Sequence, residues 1–423
     1  MKSGAADVIV IGGGIAGLTT TQRLAAAGVN VTLLEARDRL GGRIFTQHHQ
    51  GYPVELGAEF VHGRSPEIFN LATAAGLKLA ESGGDFRSKV GGRWEDSENL
   101  MTEVDELFDQ IPVDGPDQSF RQYIDSTRYS PEVKDQATRF VEGFHAADPD
   151  RVGIHWLLKT TKAEESIHGD TSFRIRDGYS KLVETLAHEI AGQRILLDTT
   201  VNAIRWQPGA VTVETSRGNF RAPQVVVTLP LGVLHAGSVE FTPGLVEKDE
   251  AMRLLSMGPV IRVSLCFQNK FWEDDQHMRN LSFLFTDNVY FPTWWSSNPL
   301  SYPILTGWAA GRCGRTLTGK SEAQITNIAM SALAQILDRS ESDLKPEASF
   351  VHDWQRDVFS RGAYSYGNVG GAEAGRRLAE PMADTLFFAG EATNFEGHNG
   401  TVNGAMNSGI RVADEILLVS GKS

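Results

Sequence analysis

Two glycine turns, one near each end of the chain, and the unbroken apolar runs beside them predict an α/β fold built on a parallel sheet. The turns are "GGGIAG", Gly12 to Gly17, and "FFAGEAT", Phe387 to Thr393. The third observation is size, because 423 residues exceed one ordinary domain and suggest two. Val8 to Ile11 is short, β-branched and without alternation, as in a strand buried on both faces. Gly12, Gly14 and Gly17 then keep the G-x-G-x-x-G spacing: a tight turn, a close approach of backbone to a pyrophosphate, and close helix–strand packing. Ile15 and Ala16 lie between them at the helix start. Leu18 to Ala27 holds good helix formers and no proline, and Gly28 ends it. Val31 to Leu34 reads as the next strand and Glu35 closes it, about 20 residues past the glycines, where a carboxylate accepts bonds from a ribose hydroxyl pair. The expectation is a bound dinucleotide.

"LEARDRLGGR" follows directly, with Arg37 and Arg43 around the pair Gly41-Gly42. A second backbone approach plus two guanidiniums beside a pyrophosphate implies a permanently anchored cofactor. The segment resembles the opening of the flavin-dependent amine oxidase family, which includes monoamine oxidases, polyamine oxidases and histone lysine demethylases. In that family the second motif belongs to the FAD site. The tail "FFAGEAT…GTVNGAMNSG" resembles the family's C-terminal flavin signature. By this resemblance Gly390 permits the turn, Glu391 contacts the ribityl–pyrophosphate region, and Val402 donates its N–H to the flavin pyrimidine. Thr401 and Val402 lie at a helix start, where free N–H groups can face an electron-rich ring. Gly42, Gly57, Ala58, Glu59 and Val201 complete the expected FAD contacts. The matching pieces run in order at 7–43, 55–63, 177–234, 258–272, 354–366 and 386–413, while 84–170 matches poorly.

Composition agrees with a large soluble enzyme. No apolar stretch reaches spanning length, and the nucleotide strand starts at residue 7, so neither membrane helix nor signal peptide is expected. Two cysteines, Cys266 and Cys313, cannot build a disulfide framework, which makes the cytoplasm the expected location. No metal site is expected. Forty basic against 53 acidic residues, −13 at neutral pH, argue against nucleic-acid binding and favour a cationic substrate.

No linker separates two blocks, which favours interleaved domains. The expected FAD-binding pieces are 1–80, 172–240 and 362–423, and the substrate domain takes 81–171 and 241–361. Residues 84–126 read as polar, acidic and irregular. "SPEVKDQATRFVEGFHAADPDRV" reads as helical up to Pro149, and "VIRVSLCF" as an alternating strand.

The resemblance also implies the chemistry: an amine passes its Cα–H as hydride to the flavin, the imine is hydrolysed to a carbonyl, and oxygen is reduced to hydrogen peroxide. Tyr364 matches one wall of an aromatic cage, His398 stands for the facing wall, and Trp354 matches a tryptophan against the flavin. Monoamine oxidases attach FAD through a cysteine where this chain has Ala363, so non-covalent FAD is expected. Relatives hold a water against the flavin with a lysine where this chain has Arg262, which stays protonated but offers five donors. In "ELGAEFVHG" Gly57 and Ala58 line the flavin, while Glu59 and His62 point into the tunnel to read a second cationic centre. The function expected is FAD-dependent oxidation of a primary or secondary amine, polyamine-like before monoamine. The alternatives are oxidation of an L-amino acid, which needs a cationic clamp for the carboxylate, and a flavin-bearing scaffold with weak activity.

Overall fold

The computed structural model describes residues 6–95 and 98–421, with the side chains of 98–101 left aside. The expected domain limits at residues 1 and 423 lie outside the described residues. Five parallel strands form the central sheet, in the order Arg194–Leu196, Val31–Leu34, Val8–Ile11, Gln224–Val227 and Leu386–Phe388. Val8–Ile11 is central and wholly buried, which is why its sequence shows no alternation. Its side chains still part by face. Val8 and Val10 join a core with the helices Ile15–Ala26, Ser180–Glu189 and Val402–Val419. Ile9 and Ile11 join a core with a four-stranded sheet, Val201–Gln207, Ala210–Thr215, Gly218–Ala222 and Glu240–Thr242.

The first and last helices touch closely. The Thr20 hydroxyl donates to the carbonyl of Gly409 at 3.1 Å, and a Cβ on Gly409 would lie 2.5 Å from the Ala16 carbonyl oxygen. A side chain there would push the helices apart.

The rest of the chain is built on a seven-stranded sheet, ordered Ala348–Asp353, Val260–Cys266, Ile304–Ala310, Thr293–Ser296, Leu281–Thr286, Asp85–Val90 and Arg93–Glu95. The helix Glu322–Ile336 packs on it, started by a capping box between Ser321 and Gln324. Helices Phe120–Ser126, Pro131–Gly143 and Ile154–Ser166 form a further cluster with the helix Glu98–Asp109.

Three local expectations differ from this structure. Residues 84–126 are not irregular: they hold two strands of the large sheet and two helices. Asp85–Val90 pairs in parallel with Leu281–Thr286, almost 200 residues on, so no local pattern announces it. The helix from Pro131 ends at Gly143, with Ala146 at φ +49° beyond it, rather than at Pro149. Val260–Cys266 is buried at every position, because strands flank it on both edges and both its faces are covered.

Candidate active site

One cavity of about 2000 Å³ runs from the first glycine turn to the helical cluster. Sites for single small ligands usually enclose roughly 300–1,000 Å³, so this one has room for a large cofactor and a substrate together. Its cofactor end is built by the two glycine turns. Gly12 sits at φ +107°, and a Cβ there would strike the Thr228 hydroxyl at 2.3 Å. A Cβ on Gly17 would come 2.0 Å from the Gly12 carbonyl oxygen, so the helix can start this close only with glycine. A Cβ on Gly14 would meet nothing within 4 Å: this position opens onto the cavity. Gly14 is also the N-cap of Ile15–Ala26 and supplies no side-chain acceptor, which leaves the helix-start N–H groups beside Ile15 and Ala16 to an anion. The second turn packs on the first, with the Gly41 N–H donating to the Gly13 carbonyl at 2.8 Å.

Most of the sequence-predicted residues line this cavity. They are Gly12, Gly14, Ile15, Ala16, Glu35, Arg37, Gly42, Arg43, Gly57, Ala58, Glu59, His62, Val201, Arg262, Trp354, Tyr364, Gly390, Glu391, Thr401 and Val402. Gly17 lies behind the wall in a packing role. His398 also lies behind it, which corrects the expectation of a histidine facing Tyr364. Its N–H donates to Asn394 Oδ1 at 3.0 Å, and the neighbouring Gly397 packs on the helix Ile154–Ser166 at Lys159 and Ala163. The turn so formed presents Gly400 to the ring of Tyr364, with 3.3 Å from its would-be Cβ to Tyr364 Cδ2, and Thr401 follows in the wall. The Tyr364 hydroxyl donates to the Phe144 carbonyl at 2.6 Å, and burial pushes its pKa far up. Trp354 is fixed by its indole N–H on the Leu56 carbonyl at 3.0 Å.

The charged groups of the cofactor end are held by the protein itself. Glu35 accepts from the Gly13 and Arg37 N–H groups at 2.6 and 2.8 Å, and burial raises its pKa against those bonds. Arg37 is turned to Asp357 at 2.7 Å, and Arg43 to Glu391 at 2.8 Å and the Ala363 carbonyl at 2.7 Å. Glu391 further accepts from the Ser365 hydroxyl at 2.6 Å and the Gly400 N–H at 2.9 Å. Thr401 caps the helix Val402–Val419 through the Gly404 N–H at 3.0 Å. Open backbone at Gly14, free N–H groups at a helix start and two stacked turns fit the pyrophosphate of FAD. Ala363 lines the cavity, and neither Cys266 nor Cys313 does.

Toward the substrate end the sequence reading needs revision. Glu59 was expected to read a substrate cation, yet its carboxylate is held by two buried guanidiniums, those of Arg174 and Arg262, and accepts from the Trp295 indole at 3.0 Å. Arg262 also donates to the Gly57 carbonyl at 3.2 Å and contacts the Ser264 hydroxyl at 3.4 Å. Burial lowers both guanidiniums, to about 9, which still leaves them charged at neutral pH. His62 lies edge-on to Phe144 at 5.5 Å, and burial pulls its pKa down to about 4, so its ring is neutral.

Sequence reasoning missed Arg174, Trp295 and Glu164. Arg174 and Glu59 meet only because the strands Val61–His62 and Ser172–Ile175 pair, and no spacing encodes that. Glu164 projects from the helix Ile154–Ser166 into the cavity, one turn beyond Thr160. Among the described residues no hydrogen bond or ion pair engages its carboxylate, and burial pushes its pKa up to about 7. Further out the lining includes Asp85, Glu95, Asp105, Asp109, Glu165 and Asp170, with Arg87 and Arg139 opposing them.

Comparison with known proteins accords with this geometry. A sequence profile of the family described as flavin containing amine oxidoreductase matches residues 15–417. Polyamine oxidase 4 of Oryza sativa subsp. japonica is 30% identical, over 97% of this chain and 88% of that protein. Lysine-specific histone demethylase 2 of Homo sapiens is 28% identical, over 97% of this chain and 53% of its own length. Among solved structures, wild-type putrescine oxidase bound to putrescine superposes with a TM-score of 0.84 at 21% identity, covering 98% of this chain and 99% of its own. Cyclohexylamine oxidase from Brevibacterium oxydans superposes equally, at 0.84 and 21%, covering 99% of this chain and 100% of its own. With that profile running from the first helix to the last, the chain belongs to the flavin-containing amine oxidoreductase family and is an FAD-dependent oxidoreductase acting on CH–NH or CH–NH2 donors.

Proposed function

We propose that the substrate is a diamine or polyamine, oxidised at one nitrogen to an imine and then an aldehyde, with oxygen as acceptor and hydrogen peroxide as product. Glu164 carries this reading. It is an unpartnered carboxylate inside the cavity, and Glu59 is not free for that task. The turn bearing Gly400 packs on the helix at Lys159 and Ala163, and Tyr364, Thr160 and Glu164 all line the same cavity. One helical turn from Thr160 to Glu164 advances about 6 Å, comparable to the spacing of two nitrogens in a short diamine. The acidic outer lining would gather a polycation before it enters.

Bound FAD supplies the acceptor for the hydride from the amine's Cα. The chain's own residues prepare the amine. Tyr364 and Trp354 offer aromatic faces on which the incoming ammonium can rest. Neutral His62 adds no charge against it. Arg262 stands beside Gly57 as a fixed cation, which favours the neutral amine at the reacting nitrogen while Glu164 retains the distal one. The relatives support the reading by name, among them polyamine oxidases and putrescine oxidase. Two unpaired cysteines are also in keeping with a cytoplasmic setting.

The test is a matched pair, putrescine against butylamine, assayed by peroxide release. Glu164→Gln should raise KM for putrescine by ~10-fold or more, as expected for a charge-assisted bond. Turnover of butylamine should barely change. Equal effects on both substrates would remove Glu164 from recognition, and turnover of α-amino acids in place of amines would shift the reading to a carboxylate clamp at Arg262.

A further inference from the structure

Arg174 lies behind the active-site wall, in the strand Ser172–Ile175. It lines not the main cavity but a separate one of about 30 Å³, whose polar lining is shared with Glu55, Glu59, Arg262, Ser264 and Thr306. Its guanidinium holds one oxygen of Glu59, donates to the Ser296 carbonyl at 2.8 Å and the Asn298 carbonyl at 3.1 Å, and stacks 4.3 Å over Phe60. Arg262 holds the other oxygen of Glu59 and does line the main cavity. Two fixed cations therefore share one committed anion. The second acid of the group, Glu55, accepts from the Thr46 hydroxyl and the Tyr179 N–H, both at 2.7 Å, and burial pushes its pKa up to about 7, so below that pH it adds no second negative charge. Stability does not explain the arrangement, since well-packed apolar residues commonly replace buried ion triads without loss.

We propose that Arg174 is a positioning residue. By occupying one oxygen of Glu59, it keeps that carboxylate from neutralising Arg262 and so leaves a net positive charge facing the flavin ring. The proposal rests on the family's FAD. A ring that gains negative charge when it accepts electrons is stabilised by such a cation, so the charge tunes the cofactor without touching it.

Two measurements on the FAD-loaded protein read this charge without substrate turnover. One is the two-electron midpoint potential. The other is sulfite affinity, in which the sulfur lone pair bonds to a ring nitrogen and the displaced pair leaves a negative charge on the ring. Arg174→Gln should weaken sulfite binding ~10-fold and lower the potential by about 30 mV, the equivalent of tenfold for two electrons. Arg174→Lys should stay near the parent, and Glu59→Gln should move both quantities the other way. Unchanged sulfite affinity and potential in a flavin-replete Arg174→Gln protein would overturn the proposal. If that variant loses FAD, Glu59→Gln carries the test, and no shift there overturns it equally. A parent protein that purifies without flavin would count against the family's cofactor instead.

Discussion

Glu164 is held near 7 in the folded chain against about 4.5 in the open one, because burial opposes its charge and no donor offsets it. Its contribution to stability is therefore complete below pH 4.5 and is lost as the pH rises through 7, by up to ~3 kcal/mol. Glu164→Gln should match the parent below pH 4.5 and exceed it in urea midpoint at pH 8; a variant less stable at pH 8 would show a partner for this carboxylate. Glu35 poses the reverse case, an acid already tied to the turn it serves by the Gly13 N–H. Glu35→Ala should lower the flavin-to-protein ratio after purification, and full flavin retention would place the ribose contact elsewhere. At Arg262 the two half-reactions should part. Arg262→Met should slow reoxidation ~10-fold, about 1.4 kcal/mol of lost stabilisation, and slow anaerobic flavin reduction by less. Stopped-flow traces decide it, and a loss confined to reduction would assign Arg262 to the substrate.

Among the elements, the first and last helices meet too closely for a side chain at Gly409. Gly409→Ala would place a methyl 2.5 Å from the Ala16 carbonyl oxygen. It should cost ~1–3 kcal/mol of overpacking and shift the urea midpoint at constant slope. An unchanged midpoint would mean that the helices can slide apart freely. The opening strand, turn and helix were legible because local spacing encodes local geometry. What stayed hidden was made by distant pairings. Asp85–Val90 became a strand only through Leu281–Thr286, and Glu59 met Arg174 only through Val61–His62 beside Ser172–Ile175. His398 was misplaced for a related reason: motif order gives position along a turn, while Asn394 and the helix beneath decide which residue looks outward. Glu164 belongs to an ordinary acidic pair, "EE", and nothing in the sequence shows which of the two is buried.

Across the whole molecule, the histidines His62 and His145 oppose the acids Glu55 and Glu164 in pH. Burial lowers His62 and His145 to about 4, so each loses stability as the pH falls from 6.5. Glu55 and Glu164, both raised to about 7, lose it as the pH rises from 4.5. Between pH 4.5 and 6.5 the two pairs cancel, so these groups should leave the parent's stability nearly flat. His145→Gln removes one side of the balance and should make stability fall as the pH rises across that window, by ~1 kcal/mol per pH unit. A flat profile in the variant, from urea titrations at stepped pH, would refute the balance. Flavin loading has its own order in time. The sheet beneath the cofactor takes its edge strand from Leu386–Phe388, and the helix closing the pocket runs from Val402 to Val419. A chain emerging from the ribosome thus presents its first glycine turn some 370 residues before the segment that completes the pocket. Until then Val225–Val227 shows an unpaired edge and the first helix lacks its neighbour. Cofactor capture consequently waits for this last strand and helix, and every shorter length of the chain is an apo form.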